Sequence, residues 1–235
     1  ESGGITQKIG ASKISLTHEG QIRSITFIDT PGHEAFTNMR GRGAQAADIG
    51  ILVVSASDGV MPQTRESIQV LKQAGIPFIV ALTKADLETA IPEKVKQQLM
   101  KEDITAEEYG GDVPVLEVSA KTNLHIKELL DLILLVQDLH ADSAKSRSPK
   151  NPVQAIVIES KLDQKAGPKA TVIIKDGTIR ARDVLFVNDK EGKARSLINS
   201  EGKQVQEATI GDGVEILGFT DVPPVGSMVT ADKKL

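Results

Sequence analysis

Between Ile22 and Leu139 short apolar runs alternate with amphipathic segments, and this alternation narrows the possible folds more than any other feature. Ile22–Ile28, Ile49–Ala56, Phe78–Leu82 and Val113–Val118 carry Val, Ile and Leu at neighbouring positions, as strands covered on both faces of a parallel sheet do. Between them Gln63–Ala74, Pro92–Lys101 and Leu124–His140 place apolar residues at helical spacing. Pro92 suits a first helical turn, where the N–H it lacks would have no partner anyway. Strand and helix in strict alternation predict an α/β domain with a mostly parallel sheet. Ile14–Thr17 precedes the first run across His18-Glu19-Gly20, which predicts an antiparallel edge hairpin.

The pattern changes after Ala141–Pro152, a small, charged, proline-bearing stretch that reads as an exposed linker. Val153–Ser160, Ala170–Lys175, Val184–Val187, Ala194–Ile198 and Val214–Leu217 are short β-type runs. Turn signals at Lys175-Asp176-Gly177 and Asp189-Lys190-Glu191-Gly192 separate them. Such strands with no helix between predict a small closed antiparallel barrel. The boundaries expected are 1–141 for the α/β domain, 142–151 for the linker and 152–235 for the barrel.

Composition excludes several classes. With 235 residues the chain can bury two ordinary cores. No cysteine is present, so disulfides and thiolate metal sites are ruled out; an intracellular, reducing location fits without being fixed by this, and the location expected for the chain is cytoplasmic. A net charge of −4 argues against a nucleic-acid clamp along the whole chain, although a local basic face could touch RNA. Aromatic residues make up 3%, which leaves aliphatic cores and little for base stacking. The longest apolar run, Ile49–Ala56, is far too short to span a membrane.

Three apolar runs end in chemistry. The first runs into Asp29-Thr30-Pro31-Gly32-His33-Glu34. A carboxylate at a strand end can hold the water shell of a magnesium ion, and a glycine lets a bare backbone N–H approach a terminal phosphate. His33 then stands beside that phosphate, where a water would attack. The run Phe78–Leu82 ends in Thr83-Lys84-Ala85-Asp86. Asp86 can accept the ring N–H and exocyclic amine of guanine, whereas adenine would leave it unpaired. Lys84 can lay its aliphatic stem along the base and sugar. The run Val113–Val118 ends in Ser119-Ala120-Lys121, where a backbone N–H can bond the guanine O6. Each tripeptide is weak alone, but in open α/β sheets ligands bind at the carboxyl ends of strands, and here three such ends line up in order.

With these segments in place the chain resembles the translational GTPases, and among them the bacterial translation initiation factor 2 family. The resemblance rests on Gly3–Gln7 (GGITQ), Asp29–Asp48 (DTPGHEAFTNMRGRGAQAAD), Ala56–Glu66 (ASDGVMPQTRE) and Glu107–Asp112 (EEYGGD). Ser119–Thr122, Leu129–Val136, Val157–Ile179 and Val214–Gly226 extend it over essentially the whole chain. It implies a P-loop GTPase-like sheet lacking the P-loop segment, followed by a β-barrel, with GTP/GDP and Mg²⁺ as ligands.

The family pattern implies further roles. Thr6 would ligate Mg²⁺ directly when the γ-phosphate is present, and Asp29 would reach the ion through water. Thr30, Pro31 and Gly32 would shape the γ-phosphate turn, and His33 would be the catalytic residue that orients the attacking water. Thr83, Lys84, Asp86, Ser119, Ala120 and Lys121 would hold the base. The implied partners are the ribosome, with the barrel on the small subunit and the GTPase domain on the large one. Initiator tRNA would bind through domains outside this chain, and no membrane is involved.

Two departures stand out. No Gly-rich stretch ending in Gly-Lys-Thr/Ser occurs in these 235 residues, so the chain alone is expected to bind nucleotide poorly. Thr83 stands where the family usually has Asn, which keeps a hydroxyl but loses the amide that braces the base loops. Two other readings stay open: a non-hydrolysing module that docks on the ribosome, and a related elongation or selenocysteine-type factor. Lys161, Lys165, Lys169 and Lys175 could touch ribosomal RNA or simply keep the barrel soluble. Arg40, Arg42 and Lys72 could be a ribosome-facing patch or a solvated face.

Overall fold

A computed structural model describes residues 10–30, 41, 44, 46–140 and 147–232. They form two compact units, one holding the N-terminal hairpin and the barrel, the other the α/β layers.

In the first unit β1 (Gly10–His18) and β2 (Gln21–Asp29) make an antiparallel hairpin, with Gly10 opposite Asp29 and His18 opposite Gln21. Glu19 and Gly20 both adopt positive φ, 48° and 76°, which fits the two-residue turn whose twist matches that of the strands. The hairpin is as expected, but the parallel placement of Ile22–Ile28 is not. This run belongs to a separate two-stranded sheet and pairs with β1 alone among the described strands. None of its residues is fully buried and Ile22 is 80% exposed, as in a ribbon open to solvent rather than a strand covered on both faces.

The second unit holds a three-stranded parallel sheet of β3 (Gly50–Ser55), β4 (Phe78–Thr83) and β5 (Val115–Glu117), in the order β3-β4-β5. Helices α1 (Pro62–Ala74), α2 (Pro92–Met100) and α3 (Ile126–Leu139) complete it. Leu52, Val54, Val80 and Leu82 share one core cluster with Ile68 and Leu71 of α1 and Val95 and Leu99 of α2. Strand alternation puts Ile79 and Ala81 on the opposite face, and both are also buried. The central strand is therefore covered on both sides, as its unbroken apolar sequence requires. β5 is shorter than the run Val113–Val118. Val113 makes only an isolated bridge to Ala106, and Pro114, with no N–H to donate, contributes its carbonyl to Val80. Helix α1 starts at Pro62 and ends at Gly75, whose φ of 64° makes the left-handed cap.

The barrel follows. Its strands are β6 (Gln154–Asp163), β7 (Gly167–Asp176), β8 (Thr178–Arg180), β9 (Val184–Val187), β10 (Lys190–Asn199), β11 (Gln204–Val205), β12 (Glu207–Thr209), β13 (Gly213–Phe219) and β14 (Met228–Thr230). The ring runs β10-β13-β7-β6-β14-β9 and closes where β9 pairs with β10, giving six strands with no free edge between them. The inward residues are aliphatic, such as Val157, Val172, Ile174, Leu197 and Ile216, with Phe219 as their aromatic neighbour.

Two details differ from the sequence reading. The β9–β10 turn falls on Asn188-Asp189, both at positive φ (46° and 65°), and Lys190–Gly192 already belong to β10. Asn and Asp tolerate the left-handed region that this tight hairpin demands. The described end of the linker is also not loose. The Asp176 carboxylate accepts the Ser148 N–H (2.8 Å), the Gly177 N–H (2.9 Å) and the Asn151 side-chain amide (3.0 Å). Gly177 is needed there, because a Cβ would lie 2.6 Å from the Asn151 carbonyl oxygen.

Candidate nucleotide site

Strands β3, β4 and β5 are parallel, so their carboxyl ends lie side by side. Each end passes into a short loop, and the three loops are tied to one another. The Ala56 N–H bonds the Thr83 carbonyl (2.8 Å), and the Ala85 N–H bonds the Val118 carbonyl (3.2 Å). The structure thus brings together Thr83, Lys84, Asp86, Ser119, Ala120 and Lys121, expected from the sequence to form one group.

Thr83 is half-buried and its hydroxyl donates to the Val54 carbonyl at 3.3 Å. Here the side chain that replaces the usual Asn braces a neighbouring strand, not the base loops. Lys84 has φ of 58°, a left-handed conformation costing a non-glycine residue about 1–2 kcal/mol. That turn reverses the backbone so that the Leu87 N–H returns to the Lys84 carbonyl at 3.2 Å. It leaves Lys84 and Asp86 exposed at the strand end.

Asp86 and Ser119 stand on the two loops that the Ala85–Val118 hydrogen bond joins. The nearby Ser119 hydroxyl lowers the Asp86 carboxyl below the usual carboxylate range; burial opposes it, and the residue's own backbone N–H and then Lys121 add to the lowering. At neutral pH the group is an ionised acceptor with no proton to donate. Ser119 is 1% exposed and fully employed. Its Oγ also accepts the Thr122 N–H (3.2 Å), and its N–H bonds the Leu124 carbonyl (3.1 Å). Asn123 and His125 adopt positive φ, and the His125 Nδ1 lies 2.8 Å from the Glu117 carbonyl. The loop is therefore wound tightly, with Ala120 and Lys121 left outward.

The sequence reading overlooked the end of β3. Ser55 Oγ accepts the Asp58 N–H (3.2 Å) and lies 3.0 Å from the Ser57 hydroxyl. The Asp58 carboxylate pairs with the Lys84 ammonium at 3.2 Å. The Ser55 hydroxyl, then Lys84, hold Asp58 below its ordinary range. The signal was available, because the apolar run Ile49–Ala56 also ends in a carboxylate and a glycine, Ser57-Asp58-Gly59.

Asp29 and Thr30 are the last described residues of the hairpin side, where Asp29 is exposed opposite Gly10. Thr6, Pro31, Gly32 and His33 lie outside the described residues, as do Arg40 and Arg42. Among the described residues no group of three His, Cys, Asp or Glu is placed to hold a metal ion. No described helix is long and apolar enough to cross a membrane.

Several lysines weighed as RNA contacts are engaged within the fold. Lys72 donates to the Glu102 carbonyl at 2.8 Å. Lys169, only 15% exposed, pairs with Glu215 (3.2 Å) and Asp163 (3.4 Å).

Both parts of the chain are similar to known proteins. Residues 1–138 match the model of the elongation factor Tu GTP binding domain, and residues 152–232 match elongation factor G domain 2. A translation initiation factor IF-2 from Carboxydothermus hydrogenoformans is 50% identical over 97% of this chain and 27% of its own length. One from Chloroflexus aggregans is 48% identical over 97% of this chain and 30% of its own. The crystal structure of GDP-bound aIF5B from Aeropyrum pernix superposes with a TM-score of 0.73 at 25% identity, over 98% of this chain and 49% of that one. The chain thus spans about 30% of the length of such curated relatives. It belongs to the translational GTPases, the family of the elongation factor Tu GTP binding domain, in the initiation factor 2 branch.

Proposed function

We propose that this chain is the switch, guanine-recognition and barrel part of a GTP-hydrolysing translation initiation factor, which promotes initiator tRNA placement and ribosomal subunit joining. The observation that carries the reading is the side-by-side placement of the β4 and β5 ends, joined by the Ala85–Val118 hydrogen bond, with Asp86 and Lys84 both exposed there. An acceptor-only group there suits the two adjacent donors on the edge of guanine. Lys84 covers the base plane with its stem, and the outward Ala120 backbone reaches O6. Ser119 helps hold the base from the start of the same loop.

The remaining roles follow from the family pattern. Asp29 and Thr6 would hold magnesium, Asp29 through water, and the Thr30-Pro31-Gly32 turn would present an N–H to the γ-phosphate. His33 orients the attacking water, a task of positioning and charge stabilisation that suits phosphoryl transfer. Bound magnesium would neutralise charge developing on the phosphates. The GTPase domain is assigned to 1–141, the linker to 142–151 and the barrel to 152–235. The barrel faces the small ribosomal subunit and the GTPase domain the large one, with initiator tRNA held by other domains in a cytoplasmic setting.

The test is Asp86→Asn in the full-length protein. An amide would donate where the carboxylate accepted, so preference should move from GTP towards XTP. Competition binding that shows unchanged selectivity would overturn the assignment.

A further inference from the structure

The β1–β2 hairpin is mostly exposed, and a two-stranded ribbon of this kind is marginal alone in water. One turn of the barrel, Thr209–Gly213, grips it. Lys13 Nζ donates to the Ile210 carbonyl (2.8 Å) and pairs with Asp212 (3.0 Å). The Thr26 hydroxyl donates to the Gly211 carbonyl at 2.6 Å. Gly213 sits so near Ala11 that a Cβ on it would fall 2.4 Å from the alanine methyl.

The grip is specific in two ways. Lys13 and Thr26 are register partners, so both strands are held at one point and on one face. The turn itself is preset: Asp212 accepts the Thr209 N–H at 2.7 Å, the Gly211 N–H reaches the Ile174 carbonyl at 2.8 Å, and Gly211 has φ of 81°. Three residues beyond Thr26, about 10 Å along the strand, lies Asp29 opposite Gly10. The held end of the hairpin is thus the end that carries the carboxylate assigned to magnesium.

We propose that the Thr209–Gly213 turn is a clamp that sets the position of Asp29, with Lys13 and Thr26 as positioning residues. A shift of the barrel, such as binding to another surface would impose, then alters how well the chain holds magnesium and the γ-phosphate. Base recognition through Asp86 is left as it was. The inference rests on the functional reading above.

The test uses Lys13→Met and Thr26→Val, neither of which touches the turn's internal bonds. In the chain itself, hairpin amides should exchange with deuterium about tenfold faster in the variants, from loss of the tertiary contacts that keep local opening rare. In the full-length protein, the Mg²⁺ concentration for half-maximal binding of a non-hydrolysable GTP analogue should rise about fivefold, while GDP affinity stays within twofold, a coupling of ordinary allosteric size. Faster exchange with an unchanged Mg²⁺ requirement would reduce the clamp to a structural contact and overturn the proposal. Unchanged exchange would show that the clamp carries no weight and overturn it as well. A wild-type protein that binds no guanine nucleotide would instead overturn the functional reading, and the coupling with it.

Discussion

Two lysines of the α/β unit, twelve residues apart, show how differently one charge can be used. Lys96 on α2 has a side chain only 8% exposed, packed among Glu108 (2.7 Å), Glu93 (3.0 Å) and Glu117 (3.4 Å). Lys84 at the strand end is 57% exposed and has one partner, Asp58, itself 56% exposed. Burial pushes the Lys96 ammonium towards neutrality, but Glu108 and Glu93 outweigh it and raise its pKa. The three carboxylates come from α2, the helical turn Glu107–Tyr109 and β5, so one ammonium joins three segments. Tyr109 adds a hydroxyl donated to Glu93. The contrast teaches that an enclosed, saturated charge organises the scaffold, while a loosely paired one at a strand end stays available for a ligand.

The largest predicted effect breaks the enclosed member. Lys96→Ala should cost about 2–3 kcal/mol in urea unfolding, somewhat less than breaking a fully buried pair because the carboxylates still reach water. Lys96→Met restores the aliphatic stem and should recover part of the loss, not the part due to three carboxylates left facing each other. The sign of the pH dependence follows from the raised pKa. The contribution is fully present below the ordinary lysine range, near 10, and fades as pH rises above it. A Lys96→Ala midpoint equal to wild type would erase the distinction between the two lysines.

A second prediction carries the comparison into the barrel, where Asp176 plays the organising part with opposite charge. Burial would raise its pKa, yet the Asn151 amide and the Ser148 and Gly177 N–H groups lower it overall. Asp176→Ala leaves those donors without their acceptor and should cost about 1–2 kcal/mol. A depressed folded pKa stabilises above the unfolded value, near 4, and the benefit disappears as pH falls below it. Asp176→Asn should therefore flatten the acid limb of urea midpoints measured between about pH 5 and 3. An unchanged limb would show that the linker end is not held by this charge.

Such side chains also mark where the sequence became hard to read. Thr83–Asp86 and Ser119–Lys121 were legible because a strand end is announced by its neighbours, and the loop must then turn at once. Pro92 marked a helix start for an equally local reason. Lys96 gave no sign, since a lysine within an amphipathic helix reads as solvent-facing until Glu108 and Glu117 converge on it. β8, β11, β12 and β14 span two or three residues, too few for any period to emerge. Yet Met228–Thr230 helps close the ring by pairing with both β6 and β9. Ile22–Ile28 paired with its expected hairpin partner but misled about burial, because an apolar run does not say whether further layers will cover it. Its partner was the adjacent β1, and the face opposite the Thr209–Gly213 turn was fixed by Lys13, a residue with no motif around it.

The smallest predicted effect returns to Lys84. Its left-handed backbone is set by the Ala85 and Leu87 hydrogen bonds, so its direction does not depend on Asp58. The exposed ion pair then acts as a competitor for the ammonium rather than a support. Asp58→Asn should leave the urea midpoint unchanged, since exposed pairs contribute little to folding. It should tighten GDP binding by the full-length protein about two- to threefold, because the ligand no longer displaces an anion from Lys84. Stopped-flow release of a fluorescent GDP analogue would read the difference. Weaker binding in Asp58→Asn would mean that the carboxylate aims the lysine, and the exposed pair would then organise its site as the enclosed one does.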